Sequence, residues 1–284
     1  MIATDIGFDV LPPLRVASYN LHAGVDGWGR RTDVVDVAVE IDADVLFVEE
    51  SWRSDAVDLA SEIAARTGAT AHTIPLAAGV RVTGGTGPAR WQPRRALVVG
   101  NQGLYLDSVL PIGRRGERRL ATARGVEAGE WCLGVVTRLP VMSSEVIELT
   151  PLAKDRARRR LIGLELDAGN GALWCFAVHG AHLSHGSLGQ YREIVAHLED
   201  RLDGDRAAVL GGDLNCWGLV ARRVLRGWRQ AARGATWPSW RPHSQLDHLF
   251  VHGPIDVVSG GVLDRRSSDH RPVVASIVVR PGLR

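Results

Sequence analysis

Ala207-Ala208-Val209-Leu210-Gly211-Gly212-Asp213-Leu214-Asn215 is an apolar run that stops at two glycines and then delivers a carboxylate and an amide. Brevity and turn-forming flanks mark such a run as a β-strand rather than a helix fragment. On an extended backbone alternate residues share a side, so Asp213 and Asn215 point the same way. The glycines allow a ligand or a second backbone to come close. Taken alone, the segment reads equally as a strand end capped by turn-forming Asp and Asn.

The same signature recurs along the chain. Strands are expected before this run at 15–19, 45–48, 96–99, 132–137, 141–149, 161–166 and 173–178, and after it at 246–251, 257–263 and 273–279. Helical periodicity is confined to Thr32–Ile41 with Thr32 as N-cap, Ser54–Thr67, Ser187–Leu202 and, more weakly, Trp217–Trp228. Many strands, few helices and no regular β-α-β alternation predict an α/β protein in which two mainly antiparallel sheets pack face to face under outer helices. Gly-, Pro- and Arg-rich stretches at Leu76–Arg95 and Ile112–Gly129 read as long surface loops. No repeat or linker divides the chain, so a single domain over 14–284 is expected after an N-terminal lead of residues 1–13.

With 284 residues and 45% hydrophobic content, the chain can bury a large core. Its net charge of +2 is too small to imply a nucleic-acid or membrane partner by itself. Arginine clusters at Arg114–Arg124 and Lys154–Arg160 suit an anionic substrate, because guanidinium presents a planar fork of donors, although each cluster alone reads as a solvated face. Cys132, Cys175 and Cys216 form no C-x-x-C pair, which argues against a disulfide framework or a structural zinc site. No basic leader and no apolar stretch of about 18 residues is found, so a soluble, cytoplasmic monomer is expected.

Five further segments carry chemistry. Ser267-Ser268-Asp269-His270 places an acid and an imidazole just before an apolar strand, a pair suited to holding a metal and a proton in phosphoester hydrolysis. In Gln245-Leu246-Asp247-His248 the Asp is set within an apolar strand, where a lone carboxylate is costly to bury. His270 is its economical partner. Ser18-Tyr19-Asn20-Leu21-His22 ends one strand in an amide, and Val45-Leu46-Phe47-Val48-Glu49-Glu50 ends another in two carboxylates, the oxygen donors that hard cations prefer. Finally, His179-Gly180-Ala181-His182-Leu183-Ser184-His185 holds three histidines whose spacing matches no usual zinc motif, so one phosphate-facing histidine is expected.

In order, Ser-Tyr-Asn-Leu, Asp44-Val-Leu-Phe-Val-Glu-Glu50, Ala-His182-Leu, Gly-Asp213-Leu-Asn215, Leu-Asp247-His and Ser-Asp269-His270-Arg-Pro resemble the endonuclease/exonuclease/phosphatase superfamily from about Leu14 to about Val279. The resemblance implies a four-layered α/β sandwich and Mg²⁺- or Mn²⁺-dependent cleavage of phosphoesters. It assigns Asn20, Glu50 and Asp269 to metal binding, with Glu49 standing where the family usually has Gln. It makes Asp213 and Asn215 the pair that orients water and contacts phosphate, and His270 the general base or phosphate-binding group, oriented by Asp247. His182 matches the histidine that, in the deoxyribonuclease- and sphingomyelinase-like branches, contacts phosphate or protonates the leaving oxygen. The DNA-repair branch has a Tyr and a Pro-Asn where this chain has Val178–His182, which weighs against an abasic-site endonuclease. Cys216-Trp217-Gly218 departs from the Ala-x-Pro-Trp of many bacterial members, whereas Thr236-Trp237-Pro238 resembles them.

Three functions follow as expectations. A nuclease-type phosphodiesterase draws on the arginines and nine tryptophans. A phospholipid or small-molecule phosphodiesterase or phosphatase draws on the sphingomyelinase-like His182 and the small net charge. A non-catalytic scaffold on the same fold is disfavoured by the presence of Glu50, Asp213, Asp247, Asp269 and His270 together.

Overall fold

Two patterns of burial show how the strands are used. In Val273–Val279 every second residue is buried, as in a strand with one face on the core, whereas Ala207–Asp213 is buried throughout, as in a strand covered on both faces. The computed structural model describes residues 12–91, 104–106, 125–155, 157–202 and 206–280. The strand expected at 96–99 and the cluster Arg114–Arg124 lie outside them.

Among the described residues the strands are β1 (Leu14–Asn20), β2 (Val45–Arg53), β3 (Thr70–Val82), β4 (Leu104–Leu106), β5 (Val126–Thr137), β6 (Val141–Glu148), β7 (Arg160–Asp167), β8 (Ala172–Val178), β9 (Ala207–Asp213), β10 (Arg229–Gln230), β11 (Asp247–His252), β12 (Ile255–Val262) and β13 (Val273–Val279). They form a seven-stranded sheet, β12-β13-β1-β2-β5-β3-β4, and a six-stranded sheet, β10-β11-β9-β8-β7-β6. Each sheet contains one parallel pair, β1–β2 and β8–β9, in an otherwise antiparallel ladder. The sheets meet face to face through β1 and β2 against β8, β9 and β11. Phe47 of β2 reaches so far across that a Cβ on Gly211 of β9 would lie 2.1 Å from its ring.

Helices α1 (Val34–Ile41) and α2 (Leu59–Thr67) belong to the first sheet, while α3 (Leu188–Arg201) and α4 (Gly218–Val224) cover the outer face of the second. On that outer face Tyr191, Ile194, Leu198, Ala221 and Leu225 pack on Trp174, Phe176, Leu210 and Phe250. The architecture is the expected α/β sandwich. No helix among the described residues is long and apolar enough to cross a membrane.

Local expectations need five corrections. Leu76–Arg95 is not a loop throughout, since β3 runs to Val82; Pro75 removes a backbone donor where the β3–β5 register slips between Pro75 and Ala77, which hides the strand from pattern reading. Likewise β5 claims Val126–Gly129 from the second expected loop. α1 begins after Asp33 rather than Thr32, and α2 begins at Leu59, where Asp58 Oδ1 accepts from Ser61 N at 3.1 Å. α4 is shorter than Trp217–Trp228.

Candidate active site

Parallel pairing sets the site. β1 and β2 run together to Asn20 and Glu49–Glu50, and β8 and β9 run together to His179 and Asp213, so these ends gather where the sheets face one another. β11 begins at Asp247, the register partner of Asp213. Parity explains which side chains turn inward. Leu173, Cys175 and Ala177 of β8 join the core between the sheets and Trp174, Phe176 and Val178 the outer cluster, so His179 continues the inner series.

β2 is irregular at its functional end. Its pairing with β5 slips between Val48 and Ser51, and Glu50 has φ +51°. Such a bulge places two consecutive carboxylates, Glu49 and Glu50, in the interior. They differ in company. Glu49 Oε1 accepts from Ser18 Oγ at 3.1 Å, and burial, reinforced by Asp247 and Asp213, holds its carboxyl well above the usual carboxylate range. Glu50 Oε1 instead accepts from Asn20 Nδ2 at 3.2 Å, and among the described residues the second oxygen of each, Glu49 Oε2 and Glu50 Oε2, is buried with no partner.

Asn20 ties the two sheets together, donating also to Asp213 Oδ2 at 3.2 Å while its Oδ1 accepts from His22 N. Asp213 Oδ1 accepts from Asn215 N at 2.8 Å. Burial pushes its carboxyl up to about 7, with Asp247 and Glu50 adding to the rise and His270 opposing it. On its far side His270 Nε2 stands 3.8 Å from Asp213 Oδ2, while His270 Nδ1 is 2.8 Å from Asp247 Oδ2. Burial alone would discharge this imidazole, but Asp247, Asp213 and Asp269 outweigh it and hold His270 well above the ordinary histidine value.

Thus Asn20, Glu50, Asp213, Asn215, Asp247 and His270 come together. Asp269 lies at the edge, accepting from Trp237 Nε1 at 3.4 Å and Ser268 Oγ at 3.3 Å. His182 is exposed at the start of a short 3-10 turn, and its Nδ1 is bonded locally to Ser184 Oγ at 2.7 Å. The histidine within the cluster is His179, whose Nε2 is 3.7 Å from Asp213 Oδ2, 4.0 Å from Glu50 Oε1 and 3.2 Å from Asn215 Nδ2. Burial, together with Arg159 and His270, holds it well below the ordinary value and hence neutral. Its backbone oxygen accepts from Arg159 Nη1, and its ring packs on Trp131 at 4.8 Å. His182, the histidine expected to face phosphate, thus lies outside this cluster, and His179, which the alternation along β8 turns inward, lies within it. The cluster Lys154–Arg160 is partly committed to structure: Arg159 pairs with Asp155 and Arg160 with Glu148.

Two groupings could accept a cation. Donor atoms of Asp213, Asp247 and His270 lie within 4.8 Å of one another, but there the Asp247–His270 hydrogen bond already uses one carboxylate oxygen and one ring nitrogen. Glu49 Oε2, Glu50 Oε2 and Asp247 Oδ1 are each without a partner among the described residues, and of these Glu50, beside the Asn20 amide that also reaches Asp213 and with no hydroxyl or imidazole bound to it, is the better fit for a hard ion, which takes oxygen ligands and relieves the desolvation of a buried carboxylate.

The sequence profile of the Endonuclease/Exonuclease/phosphatase family matches residues 17–270. No curated protein matches the chain. Among solved structures, an endonuclease/exonuclease/phosphatase family protein from Leptotrichia buccalis is similar at a TM-score of 0.63 and 13% identity, over 93% of this chain and 99% of the other. One from Beutenbergia cavernae is similar at a TM-score of 0.58 and 20% identity, over 94% and 72% respectively. The human nocturnin catalytic domain, solved with a sulfate anion, is similar at 0.59 and 14%, over 95% of each chain.

Proposed function

The chain belongs to the endonuclease/exonuclease/phosphatase family, and on that premise we propose that it hydrolyses a phosphodiester in the manner of a nuclease with Mg²⁺ or Mn²⁺ as its ion. The family covers metal-dependent phosphodiesterases and nucleases. The observation that carries the reading is the chain of contacts Asp247–His270–Asp213–Asn20–Glu50, which sets a proton-holding pair beside a carboxylate with an unused oxygen.

Glu50 and Asn20, with Asp269 at the edge, would hold the ion, which when bound polarises a phosphoryl oxygen and supports the leaving group. Asp213, poised near neutrality, takes the proton of the attacking water. Asp247 fixes the ring of His270 and favours its charged form, so His270 donates to a phosphoryl oxygen. Asn215 and the neutral His179 complete the set of groups facing that oxygen. His182, exposed at the rim, is left for the substrate beyond the scissile phosphate.

Hydrolysis of bis-p-nitrophenyl phosphate tests this. Activity should need Mg²⁺ or Mn²⁺ and vanish in chelator, and Asp213→Ala or His270→Ala should lower turnover about 10²–10⁴-fold in a folded protein. Wild-type turnover in either variant, or indifference to chelator, would remove the proposal. Cleavage of choline or inositol phosphodiesters without cleavage of DNA or RNA would replace nuclease by lipid phosphodiesterase.

A further inference from the structure

The 33 residues from Leu214 to Leu246, which connect Asn215 of the site to its Asp247, contain six arginines and no Asp or Glu. Six of the chain's 34 Lys and Arg and none of its 32 Asp and Glu fall here, so this segment carries +6 and the rest of the chain −4. The net charge of +2 conceals that separation. Arg229 donates to the carbonyls of Gly253 and Ile255, but Arg222, Arg223, Arg226 and Arg233 are exposed, and no carboxylate among the described residues pairs with them. Next to them stand two exposed large apolar side chains, Trp217 at 59% and Leu219 at 68% relative exposure, two and four residues past Asn215.

We infer that α4 and the loop after it are the binding surface for a single-stranded polynucleotide, whose scissile phosphate enters the acidic centre while flanking phosphates lie on Arg222, Arg223 and Arg226. This rests on the phosphodiesterase reading and adds its substrate class. Arginine suits repeated phosphates through its planar fork of donors, and an exposed indole beside a phosphate site offers a base a stacking face that paired strands leave unused. A membrane is the weaker partner. Ala221 of α4 and Leu225 just past its end are already buried in the outer cluster, which leaves only Trp217 and Leu219 as exposed large apolar side chains to enter lipid.

The test is fluorescence anisotropy of the full chain with a labelled single strand of about 12 nucleotides, in chelator so that the strand is bound and not cut. Replacing Arg222, Arg223 and Arg226 together by Ala should weaken binding at least tenfold and make the slope of log affinity against log salt shallower by about 2, since each neutralised phosphate of a single strand contributes about 0.7. The matching triple Lys variant should keep most of the salt slope. Trp217→Ala should weaken binding about tenfold with the slope unchanged. Wild-type affinity in the triple Ala variant overturns the inference, as does binding to phosphatidylserine vesicles that excess strand fails to displace. Hydrolysis of bis-p-nitrophenyl phosphate by the unaltered chain reports the reaction separately. Cleavage without strand binding removes the surface alone; strand binding without cleavage removes the reaction alone.

Discussion

Asp213 is the residue on which proton chemistry and stability conflict. Its folded value of about 7 stands above the ordinary 3.8, so the folded state holds the proton more tightly than the unfolded chain. The stability this gives is complete below about pH 4 and is lost as pH rises through 7. In chelator, Asp213→Asn should therefore melt higher than the parent by an amount that is small near pH 4 and grows to a few kcal/mol above pH 7. Thermal melts across pH would show it, and a gain that shrinks with rising pH would contradict it. Catalysis runs the other way: turnover should rise as Asp213 ionises and fall where His270 discharges, a bell whose limbs belong to the coupled pair. Glu49, whose carboxyl burial raises well above the usual range, predicts that Glu49→Gln keeps near-wild-type turnover; a loss as large as that of Asp213→Ala would show that Glu49 acts ionised. Much of this site was legible because Asp and His at strand ends are conspicuous against apolar runs. Choosing among three neighbouring histidines was harder, since His179 lies one residue past β8 and His182 beyond the strand's reach, and only counting alternate residues through the strand end separates them.

At the scale of the element, β2 and β9 are built around departures from regular strand geometry. The bulge at Glu50 could not be read from Val-Leu-Phe-Val-Glu-Glu, because nothing in the residue types announces a left-handed carboxylate. Gly212 was legible as a glycine at a strand end but not for its cause: its φ is +147°, and a Cβ there would lie 1.8 Å from the carbonyl oxygen of Val178. Gly212→Ala should thus cost more than about 2 kcal/mol, by chemical denaturation, and reduce activity through the displaced Asp213. An unchanged midpoint would mean that β8 and β9 can part locally. Element types survived in sequence because strands and helices differ in period. Ends did not, since β3 passes through a proline and a register slip that the Gly- and Ala-rich text reads as loop.

Over the whole molecule the two sheets close on a cluster of buried acids. Asp213, Asp247 and Glu50 are all buried with one imidazolium, His270, between them, an arrangement that a cation relieves further. Mg²⁺ or Mn²⁺ should raise the melting temperature by mass action, at about 2.7 kcal/mol for a concentration one hundred times Kd, and Glu50→Gln should flatten that response. Equal shifts in parent and variant would place the ion elsewhere. The sandwich itself was legible from strand count, whereas the charge separation around α4 was hidden by a near-neutral total. β13 pairs with β1, and Asp269 and His270 come just before it, so the first strand waits for the last. A chain that has made β1, β2 and β9 but not the segment from 267 to 279 holds Asn20, Glu50 and Asp213 without His270, so the acids and the amide can gather before the imidazole that Asp247 orients is there to join them.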